Sequence, residues 1–134
     1  MNYWLIKSDP ETYSWQDLVK DKKTTWDGIR NYQARNNLRL MKKGDKLIVY
    51  HSNLGEVVGT AEVTKEAFQD PTSENINWVA VELKASKSLK KPVSLIEIKA
   101  NKKLQNISLI KHTRLSVMPL KEEEYNEILT MGSH

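Results

Sequence analysis

Residues 26–53 read WDGIRNYQARNNLRLMKKGDKLIVYHSN, and this stretch decides the fold around it. Its first half carries apolar residues at the spacing of one helical face, and basic residues repeat that spacing one position later. One residue corresponds to about 100° around a helix, so the pattern predicts a helix over 31–43 with an apolar stripe beside a basic one. The apolar stripe is Ala34, Leu38 and Met41, and the basic stripe is Arg35, Arg39 and Lys42.

The second half of the stretch predicts a buried strand with polar residues at its end. Gly44-Asp45 ends the helix, and residues 47–50 form a continuous apolar run, which is typical of a strand covered on both faces. The polar residues 51–53 then follow at the end of that strand. Asn53-Leu54-Gly55 is a hairpin signal, so the next strand is expected to pair with this one.

Shorter elements flank this stretch, and each has a local signal. Alternating apolar residues predict strands, and a serine followed three residues later by an acid predicts the start of a helix. Pro119 can begin a last helix, because the acids after it favour the helix dipole. The predicted elements are strands over 3–7, 57–63, 79–85 and 115–118, and helices from Ser14 through Val19, over 95–100, and from Pro119 with Tyr125, Ile128 and Leu129 buried.

These elements predict one α+β domain. Four or five mostly antiparallel strands with short peripheral helices favour a small curled sheet or an open barrel. The 134 residues suit a single domain. We expect this domain to span residues 1–131, with residues 132–134 as a tail.

Composition narrows the function classes. The 21 Lys and Arg against 17 Asp and Glu give a net charge of +4, which leans toward polyanionic partners. The absence of cysteine excludes disulfides, cysteine zinc sites and thiol catalysis, and it fits a reducing compartment. No run approaches the roughly 18 apolar residues of a membrane span. We therefore expect a soluble intracellular protein, cytoplasmic or, in a eukaryote, nuclear, with no membrane partner.

Motifs of catalysis do not occur in the sequence. It has no GxSxG, Walker-type GxxxxGK, GxGxxG or HExxH pattern, and no histidine stands at a metal-ligand spacing from another ligand. We therefore predict no catalytic residues, no metal and no cofactor. His51 is the residue for which an enzymatic role is retained as an alternative, because it lies at the end of a predicted strand beside Ser52 and Asn53. The alternative is a small nucleic-acid or nucleotide hydrolase with His51 as general base.

Residues 26–53 combine the side chains that recognise a nucleobase. A base needs a flat surface for stacking, in-plane donors and acceptors for its edge, and cations for its phosphates. Trp26 supplies the flat surface. The amides are Asn31, Gln33, Asn36 and Asn37, and the cations are Arg30, Arg35 and Arg39.

Six segments together resemble the EVE domain family. They are YWLIKSDPETYSWQDL, the 26–53 stretch, VGTAEV, DPT, KPVSLIEIKA and LSVMPL, and they occur in the order that the family shows. The resemblance extends from Tyr3 to about Leu129. The family belongs to the PUA-like superfamily, which has a barrel-like core flanked by helices, and it is similar in layout to YTH domains. Members of both groups read modified bases or nucleic acid.

The resemblance implies a pocket for an extruded modified base, such as methylated or hydroxymethylated cytosine, in RNA or DNA. Trp26 matches the position where YTH proteins begin their aromatic cage, so it is expected to stack on the base. Asp9 stands where the family usually has Glu, and the loop of residues 54–57 is shorter than in many members. The expected pocket residues are Lys7, Ser8, Trp26, Arg30, Asn31, Asn36, His51, Ser52 and Asn53.

The remaining candidates surround this pocket. Four cations on and after the predicted helix are expected to contact phosphates, or else form a solvated face. Trp78 is either a core residue or a second pocket wall. The expected partner is nucleic acid and the expected state is a monomer, while an adaptor that binds protein is a third possibility. The four cations are Arg35, Arg39, Lys42 and Lys43.

Overall fold

The computed structural model describes residues 1–133, and within this range one sheet is flanked by short helices. The strands are β1 (Tyr3–Ser8), β2 (Lys23–Trp26), β3 (Lys46–His51), β4 (Glu56–Gln69), β5 (Val79–Ser94) and β6 (Val117–Leu120). The helices are α1 (Trp15–Asp21), α2 (Tyr32–Leu40), α3 (Leu95–Ala100), α4 (Ser108–Lys111) and α5 (Glu122–Met131), with a 3-10 turn at Lys102–Leu104.

The sheet curls into an open barrel. Its strands lie in the order β2-β5-β4-β3-β1-β6, with β1 and β3 parallel and the other neighbours antiparallel. β2 and β1 lie near opposite ends of this order, yet Trp26 of β2 and Lys7 of β1 border the same hollow. The two ends of the sheet therefore approach each other across a seam. This confirms the predicted α+β class with a curled, mostly antiparallel sheet.

The sheet bends along its two longest strands, β4 and β5. β4 and β5 pair with repeated register shifts, and such irregularities increase local bending and twist. Gly59 of β4 lies so close to the Trp15 ring that an added Cβ would stand 2.3 Å from Trp15 Cζ2. A glycine at this position lets α1 rest directly on the sheet.

Local signals around the helices act as predicted. The whole apolar stripe of α2 is buried, and Asn31 caps this helix by accepting the Ala34 N–H at 2.9 Å. The helix ends at Leu40 rather than at residue 43. Capping boxes are present at Ser14 and Ser94, where the sequence placed them.

Other predicted boundaries were wrong or incomplete. β2 was not predicted, because four residues at a sheet edge show no clear alternation. β5 continues to Ser94 instead of ending at residue 85, since β4 provides ladder partners for a charged segment. Pro119 lies inside β6 and does not begin the last helix, which starts at Glu122. β6 is an edge strand, and an edge strand tolerates a residue without an N–H.

The end of α5 lies close to the sheet. Gly132 caps the helix by donating its N–H to the Ile128 carbonyl at 3.1 Å, and it is buried against Leu89. This residue of the predicted tail therefore belongs to the folded body. His134, the last residue of that tail, lies outside the described residues.

Candidate nucleic-acid interface

A hollow opens at the barrel seam, between the end of β1 and the edge strand β2. Its volume is about 460 Å³, within the range of roughly 300–1,000 Å³ that ligand pockets occupy. We call it the seam cavity. Its lining residues are Lys7, Ser8, Asp9, Thr12, Tyr13, Thr24, Thr25, Trp26, Asp27 and Ile29.

Two aromatic rings form a corner of the seam cavity. Tyr13 and Trp26 have ring centroids 6.3 Å apart and planes inclined at 76°. Trp26 is only 9% exposed, whereas Tyr13 is half-buried and donates its hydroxyl to Asp21 at 2.7 Å. Because the rings are nearly perpendicular, a planar ligand that stacks on one ring turns its own edge toward the other ring.

Charged groups of both signs belong to the cavity lining. Lys7 Nζ donates to the Thr113 carbonyl at 2.8 Å, and burial lowers the pKa of this ammonium. Asp27 lies on the loop after β2, where partial desolvation and the negative charge of Asp70 raise the pKa of its carboxyl. The cavity thus offers a donor and an acceptor, together with threonine hydroxyls that can act as either.

The turns after β1 and β3 are clasped together beside the cavity. Ser52 N–H donates to the Ser8 carbonyl at 3.0 Å, and Asn53 Nδ2 donates to Asp9 Oδ1 at 3.0 Å. Ser8 Oγ donates to the Tyr13 carbonyl, so the clasp reaches the aromatic corner. Ser52 and Asn53 therefore position the cavity wall without lining it.

His51 is buried and already engaged. Its Nε2 accepts the N–H of Trp15, the first residue of α1, at 2.9 Å, and the residue is 3% exposed. An accepting ring nitrogen is unprotonated, and burial lowers the pKa of His51 in agreement with that state. The imidazole anchors the start of α1 and does not contribute to the lining of the seam cavity.

Arg30 lies outside the seam cavity and pairs with Asp70, with Nη1 and Oδ2 2.9 Å apart. The same carboxylate accepts the Gly28 N–H at 2.8 Å and the Thr72 N–H and hydroxyl at 2.7 and 2.6 Å. Burial by itself would raise the pKa of Asp70, but these hydrogen bonds outweigh it and hold the pKa at about 2. This cluster fixes the loop that carries Asp27 into the cavity lining.

The two predicted asparagines of α2 also have structural partners. Asn31 uses its side chain to cap the helix, and Asn36 Oδ1 accepts the Arg35 guanidinium at 2.9 Å. Asn31 borders a smaller cleft of about 280 Å³, which it shares with His112 and Arg114. Neither asparagine lines the seam cavity.

The basic face of α2 lies outside the cavity. Arg39 Nη2 donates to the Asn77 carbonyl at 3.1 Å, and the Arg35 guanidinium carbon lies 5.7 Å from the Trp78 ring centroid. Lys42 and Lys43 follow the helix and are exposed. Trp78 is placed beside this basic face and not among the residues that line the seam cavity.

The structure brings only part of the predicted pocket together. Lys7, Ser8 and Trp26 line the seam cavity. Tyr13 and Asp27 line it as well, although sequence reasoning assigned them no role. Both adjoin residues of the predicted pocket, since Tyr13 lies in the turn after Lys7 and Ser8 of β1, and Asp27 follows Trp26. The predicted residues outside the lining are Arg30, Asn31, Asn36, His51, Ser52 and Asn53.

A larger hollow of about 610 Å³ lies between α5 and strands β4 and β5. Lysines 46, 87 and 90 border it, and its aromatic residue is Tyr125. That ring is 5% exposed and packs on Tyr3 with centroids 4.8 Å apart, so it offers no stacking face. The seam cavity is therefore the better candidate for a planar ligand.

Metal and membrane features are not found in residues 1–133. No group of three or more histidine, cysteine or acidic side chains in this range is arranged to hold a metal ion. No helix of the described chain combines the length and the apolar character needed to cross a membrane.

Comparison with known proteins identifies the family. The EVE domain model matches residues 2–131. Thymocyte nuclear protein 1 of Homo sapiens is 34% identical, over 97% of this chain and 73% of that protein. A crystal structure from Agrobacterium tumefaciens matches with TM-score 0.95 and 46% identity, over 98% of this chain and 93% of that one. Human THYN1 protein in complex with 5-methylcytosine containing DNA matches with TM-score 0.91 and 33% identity, over 100% and 99%. The chain therefore belongs to the EVE domain family, as its sequence segments predicted.

Proposed function

We propose that this protein is a non-enzymatic reader of a modified base, which holds an extruded methylated or hydroxymethylated cytosine of DNA in the seam cavity. One observation carries the proposal: an aromatic corner, a carboxylate acceptor and an ammonium donor line one cavity at the open side of the barrel. The human relative that was crystallised with 5-methylcytosine containing DNA has the same fold, which supports DNA as the ligand.

Asp27 and Lys7 suit the edge of cytosine. Cytosine presents its N4 amino group as a donor, which a carboxylate can accept. Its remaining ring acceptors can take a hydrogen bond from the Lys7 ammonium or from a threonine hydroxyl of the lining. Thymine has an acceptor in place of the amino group. A carboxylate at Asp27 therefore favours cytosine over thymine.

The methyl group by itself provides little discrimination. Burying one such group is worth about 0.8 kcal/mol, or roughly fourfold in affinity. Sharper recognition requires that the cavity wall fit the methylated ring more closely than the unmodified one. Tyr13 and Trp26 meet at 76°, so one ring can stack on the base while the other limits its edge. We assign shape selection to this corner.

The free energies of stacking and of base extrusion favour target bases that are unpaired or easily unpaired. Stacking on an aromatic ring contributes about 1–3 kcal/mol, while extruding a paired base costs a few kcal/mol. The cavity by itself then binds a paired target weakly. Phosphate contacts by Arg35, Arg39, Lys42 and Lys43 supply the additional affinity in this proposal, and that contribution weakens as salt increases.

The hydrolase alternative is the weaker one because His51 is committed to the fold. A general base needs a free lone pair within reach of the substrate proton, whereas His51 Nε2 accepts the Trp15 N–H inside the core. Ser8 Oγ, a candidate nucleophile at the cavity, is occupied as a donor to the Tyr13 carbonyl. Product formation from an oligonucleotide that disappears in His51→Gln would favour the hydrolase.

Binding to matched oligonucleotides tests the proposal. Single-stranded and duplex DNA and RNA of one sequence carry cytosine, 5-methylcytosine, 5-hydroxymethylcytosine or N6-methyladenine at one position, and anisotropy is measured at two salt concentrations. We expect the tightest binding for single-stranded DNA with modified cytosine. Equal, salt-sensitive binding to all oligonucleotides would leave only a generic basic surface. No binding at low salt would instead favour an adaptor that contacts protein.

A further inference from the structure

An exposed stack of two rings and two guanidinium groups lies outside the seam cavity. The Tyr32 and Trp78 ring centroids are 5.2 Å apart, with planes inclined at 31°. Arg35 Cζ lies 5.0 Å from the Tyr32 centroid, and Arg30 Cζ lies 5.6 Å from the Trp78 centroid. We call these four residues the outer platform. Arg30 lies in the loop before α2, Tyr32 and Arg35 lie in the first turn of α2, and Trp78 lies in the loop before β5.

The hydrophobic core does not explain this stack. Tyr32 is 67% exposed, although it stands at the first position of a helix whose buried stripe is on another face. Trp78 is partly exposed, whereas the other three tryptophans are 9% exposed or less. Ile76, in the same loop as Trp78, is 74% exposed. The chain therefore presents aromatic and apolar surface to solvent at this place.

The charge around the platform suits a polyanion. Among residues 1–133, no carboxylate lies within salt-bridge distance of Arg35 or Arg39. The ion pairs in this range join other residues. Within residues 1–133, the Arg39 side chain has one hydrogen bond, to the Asn77 carbonyl. Arg30 is neutralised by Asp70, which is itself fully buried. Two uncompensated guanidinium groups thus border the exposed rings.

We infer that the outer platform binds a second, unmodified base of an unpaired strand by stacking, while the seam cavity holds the modified one. This inference rests on the proposed function. Aromatic side chains with arginine beside them form stacking surfaces that accept any base, because every base has a π face. A protein partner would fit the exposed apolar surface as well, but the uncompensated arginines favour a ligand with a phosphate backbone.

The platform and the cavity are close enough to share one strand. Ile29 lines the cavity and Tyr32 belongs to the platform, three residues farther along the chain. Three residues span at most about 11 Å, which corresponds to about three nucleotides at 3.4 Å per nucleotide of one strand. The Asp70 cluster holds the connecting loop, since it binds both Gly28 and Arg30. One short single-stranded segment can therefore contact both sites.

Tyr32→Ala tests the platform, because this side chain is too exposed to threaten the fold. The probe is an unmodified single-stranded DNA of eight thymidines, with binding followed by anisotropy and by quenching of Trp78, the tryptophan that is not buried. We expect Tyr32→Ala to weaken binding about 5- to 150-fold, the range that matches about 1–3 kcal/mol per stacked base. Tyr32→Phe, which keeps the ring, should bind like the wild type.

Further measurements separate stacking from other roles. Ile96→Ala, which truncates an apolar side chain on α3 that is even more exposed than Tyr32, should leave the affinity unchanged. The dependence of affinity on salt should be the same in Tyr32→Ala and wild type, because no charge is removed. Binding to a fully paired duplex should not weaken, since its bases are not free to stack. An unchanged affinity for the single strand, or an equal loss for the duplex, overturns the inference.

The platform and the proposed function can fail independently. Tyr32→Ala should lower affinity for modified and unmodified strands by the same factor and keep the ratio between them. If that ratio is one in the wild type but Tyr32→Ala still weakens single-strand binding, the cavity proposal fails and the platform stands. If the ratio is large and Tyr32→Ala has no effect, the platform fails alone. If the wild type binds no nucleic acid, both are wrong.

Discussion

Tyr13 and Trp26 face each other across the barrel seam, with ring centroids 6.3 Å apart and planes inclined at 76°. Trp26 ends the edge strand β2, and Tyr13 lies in the turn that leads from β1 to α1. The contact forms because the curled sheet brings its two ends together. The same approach creates the seam cavity, so the fold and the candidate site have one origin.

Tyr13→Ala should weaken binding of DNA with 5-methylcytosine about 5- to 150-fold, because it removes one side of the aromatic corner. Tyr13→Phe should keep most of the affinity. Tyr13 is the informative position, since truncating the buried Trp26 costs about 3–5 kcal/mol of stability and would confuse folding with binding. Fluorescence anisotropy measures the affinity of each folded variant for the labelled DNA. An unchanged affinity in Tyr13→Ala would remove this ring from the binding site.

Asp70→Asn should lower the free energy of unfolding by about 2–4 kcal/mol, because it leaves Arg30 and the donors of Thr72 and Gly28 without the buried carboxylate that they share. Urea denaturation measures the change. Asp21→Asn is the control, since Asp21 is exposed and its side chain accepts one hydrogen bond from Tyr13. A loss in Asp70→Asn no greater than in this control would contradict the stabilising role of the Asp70 cluster.

The low pKa of the Asp70 carboxyl predicts that the free energy of unfolding decreases at acid pH. Its pKa is about 2 in the folded state against an ordinary 3.8. The stabilisation is fully present above about pH 4 and is lost as the pH falls through 2, with a total of about 2 kcal/mol. Thermal unfolding between pH 5 and pH 2 should therefore show a steeper decline for the wild type than for Asp70→Asn. Parallel curves would mean that Asp70 is not responsible.

His51 predicts a second pH dependence nearer neutrality. Burial lowers its pKa below the ordinary 6.5, so the unfolded chain binds a proton that the folded chain excludes. Stability is complete above about pH 6.5 and falls below it by up to about 1.4 kcal/mol per pH unit. His51→Gln should flatten this decline between pH 7 and pH 5.5, and His112→Gln, at an exposed position, should not. A decline that persists in His51→Gln would have another source.

Replacing Arg35 and Arg39 together by alanine should reduce the salt dependence of single-strand binding. Each phosphate contact contributes about 0.7 to the slope of log affinity against log salt, so the double variant should lose about 1.4 of that slope. The replacement of Lys102 and Lys111, which are exposed in the α3–α4 region, is the matched control. A slope equal to that of the wild type would show that the basic face of α2 is merely solvated.

Local patterns predicted the elements that depend on local physics. The stripe of α2, its Asn31 cap, the capping boxes at Ser14 and Ser94 and the buried strand β3 all follow from short-range spacing. The long β5 and the edge strand β2 depend on partners distant in sequence. Pro119 shows the limit of local signals, because its place in β6 is permitted only by the lack of a neighbour on one side.

The sequence predicted which segments border the candidate site, but it did not predict which side chains line the cavity. His51 and Arg30 have the chemistry of binding residues, yet the tertiary structure uses one to anchor α1 and the other to pair with Asp70. Tyr13 and Asp27 gain their position only when the sheet curls. A sequence shows which residue types are available, whereas the seam determines which of them face the same cavity.

The most direct measurement compares matched single-stranded DNAs that carry 5-methylcytosine or thymine at one position. Both bases bear the same methyl group and differ at the edge that Asp27 is proposed to read. The wild type should prefer 5-methylcytosine about 5- to 150-fold, the equivalent of about 1–3 kcal/mol for an edge contact, and Asp27→Asn should lose that preference while remaining folded. Equal affinity of the wild type for the two strands, or an unchanged preference in Asp27→Asn, would contradict base reading by Asp27 in the seam cavity.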